Sequence, residues 1–182
     1  LSLLPGDKPL FIAANSDLTA LAISLEDTVY TAEQTTLGLM EWIRLLDGVF
    51  TPQTVKIVHD CKSMMTQLLR QGRSIQGFQY DTALAAYLLE PARSGYALKD
   101  LLERYCGAVI FDGLSVEAAA IAQLYAVLPE KVKQEGMAQV YSDIDFPLCP
   151  VLAEMEQAGI LVDRDTLTAF EEMLSQRISD CE

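Results

Sequence analysis

Two aspartates stand directly after short apolar runs. Asp60 follows Val55-Lys56-Ile57-Val58-His59, and Asp81 follows Gly77-Phe78-Gln79-Tyr80. A carboxylate at the end of a strand can hold a hard divalent cation or move a proton. His59, beside Asp60, adds a group that could act as acid or base near neutral pH. Lys62 and Arg73 could touch a phosphate. Each residue also has a plainer use. Asp60 and Asp81 both precede helical patterns, where a side-chain carboxylate accepts from the free N–H groups of the first turn. Capping is the better account of both. A lone histidine at a strand end, with no nucleophile near it in sequence, reads as a surface or packing residue. Lys62 and Arg73 read as a solvated helix surface, and Asp17, Glu26 and Asp27 as turn residues. Cys61, Cys106, Cys149 and Cys181 lie far apart, with no CxxC pair and one histidine in the chain. That spacing argues against a zinc site and for free thiols in a reducing compartment.

The elements that must position these residues are clearest from Val55 to Cys106. Val55–Val58 is a short apolar run rich in β-branched residues, as a buried strand requires. A helix follows from Asp60, turning Met64, Leu68 and Leu69 inward and ending at Gly72. Gly77–Tyr80 is a second strand. Asp81 opens the helix Thr82–Leu89, which Pro91 ends, and Leu98, Leu101 and Leu102 mark another.

Upstream, Pro9–Ala14 and Leu18–Leu25 read as strands joined by the turn Asn15-Ser16-Asp17. Glu26-Asp27 turns into a third strand, Thr28–Thr31. Two tight connections in succession predict an antiparallel meander. Thr35 or Thr36 is expected to cap a helix running through Leu46 and ending at Gly48, with Leu39, Trp42, Ile43 and Leu46 on its inner face. The crossover into Val55 predicts a parallel strand. The fold class is therefore α/β, a mixed sheet of about five strands flanked by helices.

Downstream, Val109-Ile110-Phe111 is a brief extended segment. Asp112 or Ser115 starts a helix from Val116 to Leu128, stopped by Pro129, with Ala118, Ala119, Ala120 and Ala122 as a small-residue face. Glu130–Val140, with Gly136 inside it, is a weaker helical pattern. From Asp143 the character changes. Two helices flank an extended insert, Ile160-Leu161-Val162. Pro147 and Pro150 suit a helix start, Gly159 a stop, and Asp163 or Asp165 a cap for a last helix whose apolar face carries Leu167, Phe170 and Leu174. This gives one domain over residues 1–142 and the start of a second over 143–182.

Composition bounds the function. The chain has 182 residues, 51% of them hydrophobic, enough for one full core. No apolar run approaches the ~18 residues a membrane span needs. The first residues, Leu1-Ser2-Leu3-Leu4-Pro5-Gly6, lack the basic region and apolar core of a signal peptide. They also lack an initiator Met, so the expectation is a piece of a longer, cytoplasmic protein. The net charge of −13 argues against a free-standing nucleic-acid binder, since phosphate contacts need Lys and Arg.

The segments HDCKSMMTQLL, GFQYDTALAAYLLEP and YALKDLLERYC resemble the 3′–5′ exonuclease domain of family A bacterial DNA polymerases, the polymerase I group. The segment IDFPLCPVLAEMEQAGILVD resembles the stretch that leads from that domain into the polymerase thumb. The two matches lie in the family's order and cover about two thirds of the chain. The resemblance implies a ribonuclease H-like fold. It also implies a parent that adds nucleotides to DNA with magnesium in replication and repair, with this domain's partners being the polymerase domain of the same chain and, through the parent, DNA.

An active nuclease of that family clamps the scissile phosphate with two metal ions held by carboxylates. Its Asp-x-Glu on the first strand corresponds here to Ala14 and Ser16. Its Asn-x-Lys-x-Asp corresponds to Asp60-Cys61-Lys62-Ser63-Met64, which places Met64 at the ligand position. Its Tyr-x-x-x-Asp has no counterpart between Val116 and Leu128, where the matching position falls at Ala119. The resemblance thus points to a catalytically degenerate exonuclease-like domain with no catalytic, metal or cofactor residue of its own, acting as structural support for a polymerase. Two alternatives are a working exonuclease whose acids lie elsewhere and a stand-alone protein-interaction module on the same fold. Weak self-association through the last helix is a further expectation.

Overall fold

The computed structural model describes residues 8–181. Its sheet has five strands in the order β3-β2-β1-β4-β5, formed by Leu10–Ala14, Ala20–Leu25, Thr28–Glu33, Lys56–Val58 and Phe78–Asp81, numbered β1 to β5 along the chain. β1, β2 and β3 are an antiparallel meander. β4 lies parallel to β1 and β5 parallel to β4. Ile12, Leu21, Ile23, Ile57 and Val58 of the strands are buried. Phe11 is half-buried, with its ring 5.6 Å from that of Tyr125.

Helices cover both faces. The short α1, Gln34–Leu37, leads to α2, Leu39–Val49, and α3 spans Cys61–Arg70. Then come α4, Thr82–Leu89; α5, Leu98–Cys106; and α6, Leu114–Gln134. α7, Ala138–Val140, passes through a π-helical turn, Tyr141–Asp145, into α8, Phe146–Ala158, and α9 is Arg164–Cys181. One core joins Ile12, Leu21, Ile23 and Val58 to Trp42 and Leu46 of α2, Met65 and Leu68 of α3, and Cys149 and Ala153 of α8. The other joins Ala13, Ala22 and Ile57 to Ala85 of α4, Leu101 of α5 and Ala118, Ile121 and Leu124 of α6. Small residues meet at this second interface, Ala13 and Ala22 on the sheet and Ala118 and Ala120 on α6, so helix and sheet approach closely.

Several boundaries differ from the sequence reading. Leu18 is not in β2. It sits at φ 52° in a turn that Asn15 organises, its Oδ1 accepting from the Thr19 and Ala20 N–H groups at 2.9 and 3.0 Å. Thr35 and Thr36 lie inside α1 and cap nothing, because the break that starts α2 falls at Gly38, φ 80°. Gly48 lies within α2, which continues because Val49 is fully buried. Val109–Phe111 pairs with no strand. Pro129 does not stop α6. The helix carries it to Gln134, since Leu124, Leu128 and Val132 form one buried row on the sheet. Such burial outweighs the ~3 kcal/mol an interior proline costs. The pattern over 130–140 breaks at Gly136, φ 73°. Pro147 stands in the first turn of α8, as a helix start allows, whereas Pro150 lies inside that helix, which follows on from Ala138 through the π-helical turn. The π-helical turn sits directly before Pro147, where its ring would otherwise meet the Asp143 carbonyl. Of the two candidate caps for α9, Asp163 does the work, accepting from the Thr166 N–H at 3.1 Å and hydroxyl at 2.8 Å.

Candidate functional site

The C-terminal ends of β1 and β4 and the first turns of α3 enclose a cleft of about 340 Å³. Ala14, Asn15, Ser16 and Leu18 line one side, and His59, Asp60, Ser63, Met64 and Gln67 the other. Three of the four positions matched to the family's ligands, Ala14, Ser16 and Met64, therefore meet in one place. Ala119 does not join them. It is half-buried on α6, which packs on the other core, and is not among the residues lining the cleft.

The polar groups of the cleft hold the protein's own backbone. Asp60, in the left-handed region at φ 59°, caps α3, accepting from the Ser63 hydroxyl at 2.6 Å and more weakly from its N–H. Asp81 lies outside the cleft lining and serves two helix starts at once. It accepts from the Ala83 and Leu84 N–H groups of α4 and from the Asp60 and Cys61 N–H groups at 3.0 and 2.7 Å. Four donors on one buried carboxylate fix the beginning of α3 against the end of β5. Both aspartates are thus helix caps.

His59 is half-buried, with Nδ1 2.9 Å from the Thr82 hydroxyl. Burial holds its pKa below the ordinary range, against the pull of Asp81 and Asp60, so the ring is neutral at pH 7. Lys62 pairs with Glu156 and Arg73 with Asp47, so each cation meets an acid of this chain.

Magnesium, the metal the resemblance implies, does not fit this donor set. It asks for several hard oxygen ligands in octahedral array, and among the described residues lining the cleft there is one carboxylate, Asp60, already bonded to Ser63. Among the described residues no three His, Cys, Asp or Glu side chains converge as they would around a metal ion. Among the described residues, none that lines the cleft is a Lys or Arg that could receive a phosphate.

Two well-placed groups gave no signal in the sequence. Tyr141 stacks on Tyr80, ring centroids 4.8 Å apart, and its hydroxyl accepts from the Asp81 N–H at 2.7 Å. It ties the end of β5 to the helix that leads into α8. Lys56, inside β4, is fully buried, with Nζ donating to the Thr51 and Thr54 carbonyls, each at 2.7 Å, above the Phe78 ring. Burial lowers its pKa to about 8. A lysine within a strand run looks like an interruption, and a tyrosine between helices looks like packing.

An antiparallel meander extended by parallel strands, with a cleft at the ends of β1 and β4, defines a ribonuclease H-like exonuclease domain. The family model described as DNA polymerase I, ribonuclease H-like domain, matches residues 13–111, and the chain belongs to that family. It is 30% identical over 155 residues to DNA polymerase I of Caldicellulosiruptor bescii, covering 82% of this chain and 18% of that one. It is 26% identical over 194 residues to DNA polymerase I of Mycobacterium leprae, covering 90% and 21%. The chain thus spans about a fifth of the length of these relatives.

Among solved structures, the POL domain of Pol1 from M. smegmatis, in complex with DNA primer-template and dNTP, superposes with a TM-score of 0.77 at 28% identity. That match covers 94% of this chain and 32% of the other. NrnC of Brucella melitensis bound to pGG shares the fold, with a TM-score of 0.65 at 18% identity over 83% of this chain and 84% of that one. No helix among the described residues is long and apolar enough to cross a membrane.

Proposed function

We propose that this domain is a catalytically silent exonuclease-like module that supports the polymerase portion of a cytoplasmic DNA polymerase I in DNA replication and repair. One observation carries the reading. The cleft at the ends of β1 and β4, where the resemblance would put the family's metal ligands, is lined by Ala14, Ser16 and Met64, with Asp60 engaged as a helix cap. One missing ligand can be replaced by water, but two-metal chemistry cannot be assembled around a single carboxylate. Residues 1–142 form the silent module and 143–182 lead toward the polymerase portion. Contact with DNA comes through the parent chain, whose magnesium and nucleotide sites lie outside this segment.

The test is incubation of the chain with end-labelled single-stranded DNA in magnesium and then in manganese, with titration calorimetry for metal binding. No shortening and no metal heat are expected. Stepwise loss from the 3′ end, abolished by chelator and by Asp60→Asn, would overturn the reading and make Asp60 a ligand.

A further inference from the structure

The two edges of the sheet are finished differently. At one, β5 is buried at Phe78, Tyr80 and Asp81, and the Asp81 N–H goes to the Tyr141 hydroxyl. At the other, β3 pairs with β2 in unbroken register from Thr28 to Glu33. Just beyond that register the Gln34 N–H donates to the Thr19 carbonyl at 2.8 Å. Hydrogen-bonded and non-bonded pairs alternate along an antiparallel ladder, so this bond fixes its phase. Thr28, Tyr30 and Ala32 turn their backbone groups toward β2. Val29 and Thr31 turn N–H and C=O outward, and Glu33, whose carbonyl begins α1, turns its N–H outward. Among the described residues none of these outward groups meets a backbone partner in another segment. Open edges are ordinarily blunted by a lysine, a proline or a bulge. β3 has none of these, and Thr28, Tyr30, Thr31 and Glu33 are exposed along it.

We propose that β3 is a docking edge for an extended basic segment of another polypeptide, which joins the sheet as a further strand. The outward backbone groups supply the binding bonds, as in other cases of strand addition. Charge selects the occupant. Between Lys8 and Arg44 the chain has no Lys or Arg, while it has Asp17, Glu26, Asp27, Glu33 and Glu41. Glu26 is taken by Lys8. Asp27 and Glu33, exposed at the two ends of β3, have no cationic partner among the described residues. A second copy on this edge would set the same acids against one another, on chains that each carry a net charge of −13. The two faces of β3 also give the segment its pattern. Ala32 packs toward the first core and Val29 toward the second. The incoming strand therefore meets Tyr30 on one face, where an apolar side chain fits, and Thr31 and Glu33 on the other, where Lys or Arg fits. Alternating apolar and basic residues are the sequence this edge recognises.

The probe is a synthetic peptide that alternates valine and lysine over the length of β3, with a peptide alternating valine and glutamate as its counterpart. Amide exchange of the whole chain is followed by NMR. The Val29, Thr31 and Glu33 N–H groups should exchange fast in the chain alone. They should slow roughly tenfold once the lysine peptide occupies most of the chain, and the glutamate peptide should leave them unchanged. Added sodium chloride should weaken the effect. Thr31→Pro removes an outward donor and no ladder bond, a change that edge strands tolerate, and it should abolish binding. Asp27→Lys with Glu33→Lys should turn the preference toward the glutamate peptide, and it decides the matter if the proline variant does not fold. Slow exchange of these amides in the dilute chain alone would show the edge already taken by its own chain. Protection that grows with protein concentration and needs no peptide would assign the edge to a second copy. Either result, no response to the lysine peptide, or an equal response to both peptides would overturn the proposal.

Discussion

Lys56 is the residue whose chemistry departs furthest from its surroundings. Its ammonium is buried under Phe78, and its two carbonyl partners are backbone groups of the loop before β4. Gly77, at φ 80°, lies over it, and a Cβ there would collide with the Thr54 carbonyl and with Nζ itself. With the folded pKa lowered to about 8 from an ordinary 10.5, the unfolded chain binds the extra proton between those values. Stability from this group therefore rises with pH across that window and is flat below it. Between pH 7.5 and 9.5 the gain should be about 2 kcal/mol. Urea melts of the wild type should show it relative to Lys56→Met, in which every other titratable group is retained. Parallel pH profiles for the two proteins would show that Lys56 keeps its proton. Elsewhere in β4, Ile57→Ala should cost about 2–5 kcal/mol by the same melts, since Ile57 is fully buried.

At the scale of elements, alternation and caps were legible where local chemistry decides, and lost where tertiary burial overrides it. Asp60, Asp81 and Asp163 are caps, as their positions before helical patterns required. Gly48 and Pro129 read as stops and are not, because Val49 lies buried beyond the first and Val132 beyond the second. The cleft was partly legible. Ala14, Ser16 and Met64 come together through strand ends that the sequence marks, whereas Ala119 was placed within a run of alanines by order alone, and α6 carries it away from the cleft.

The same burial logic bears on α8 and α9. α8 places Cys149 and Ala153 in the first core and Phe146 against both, while every described residue of α9 is exposed. A chain ended at Gly159 should therefore unfold within about 1 kcal/mol of the whole chain, and one ended at Ser142 should lose about 3–5 kcal/mol. Equal losses in the two truncations, measured by urea melts, would contradict the assignment of α8 to the first core.

At the scale of the whole molecule, two features oppose one another. α9 exposes Leu167, Phe170, Met173, Leu174 and Ile178, and α8 exposes Leu148, Val151 and Met155. Apolar surface of this extent tends to find a partner. Yet each copy carries a net charge of −13, and like charge resists approach. Burial of these side chains is short-ranged and is strengthened by salt. The repulsion is long-ranged and decays over about 10 Å at 0.1 M salt and about 3 Å at 1 M. Association of this chain should therefore tighten as salt is added. Sedimentation velocity at tens of micromolar should show monomer at low ionic strength and a growing dimer fraction as sodium chloride is raised toward 1 M. Leu167→Glu with Phe170→Glu should hold the chain monomeric throughout, because both side chains lie on the exposed face and their replacement removes apolar area while adding charge. A dimer that weakens with salt would identify ion pairs as its cement, and a chain monomeric at every salt concentration would show that the face of α9 does not self-associate.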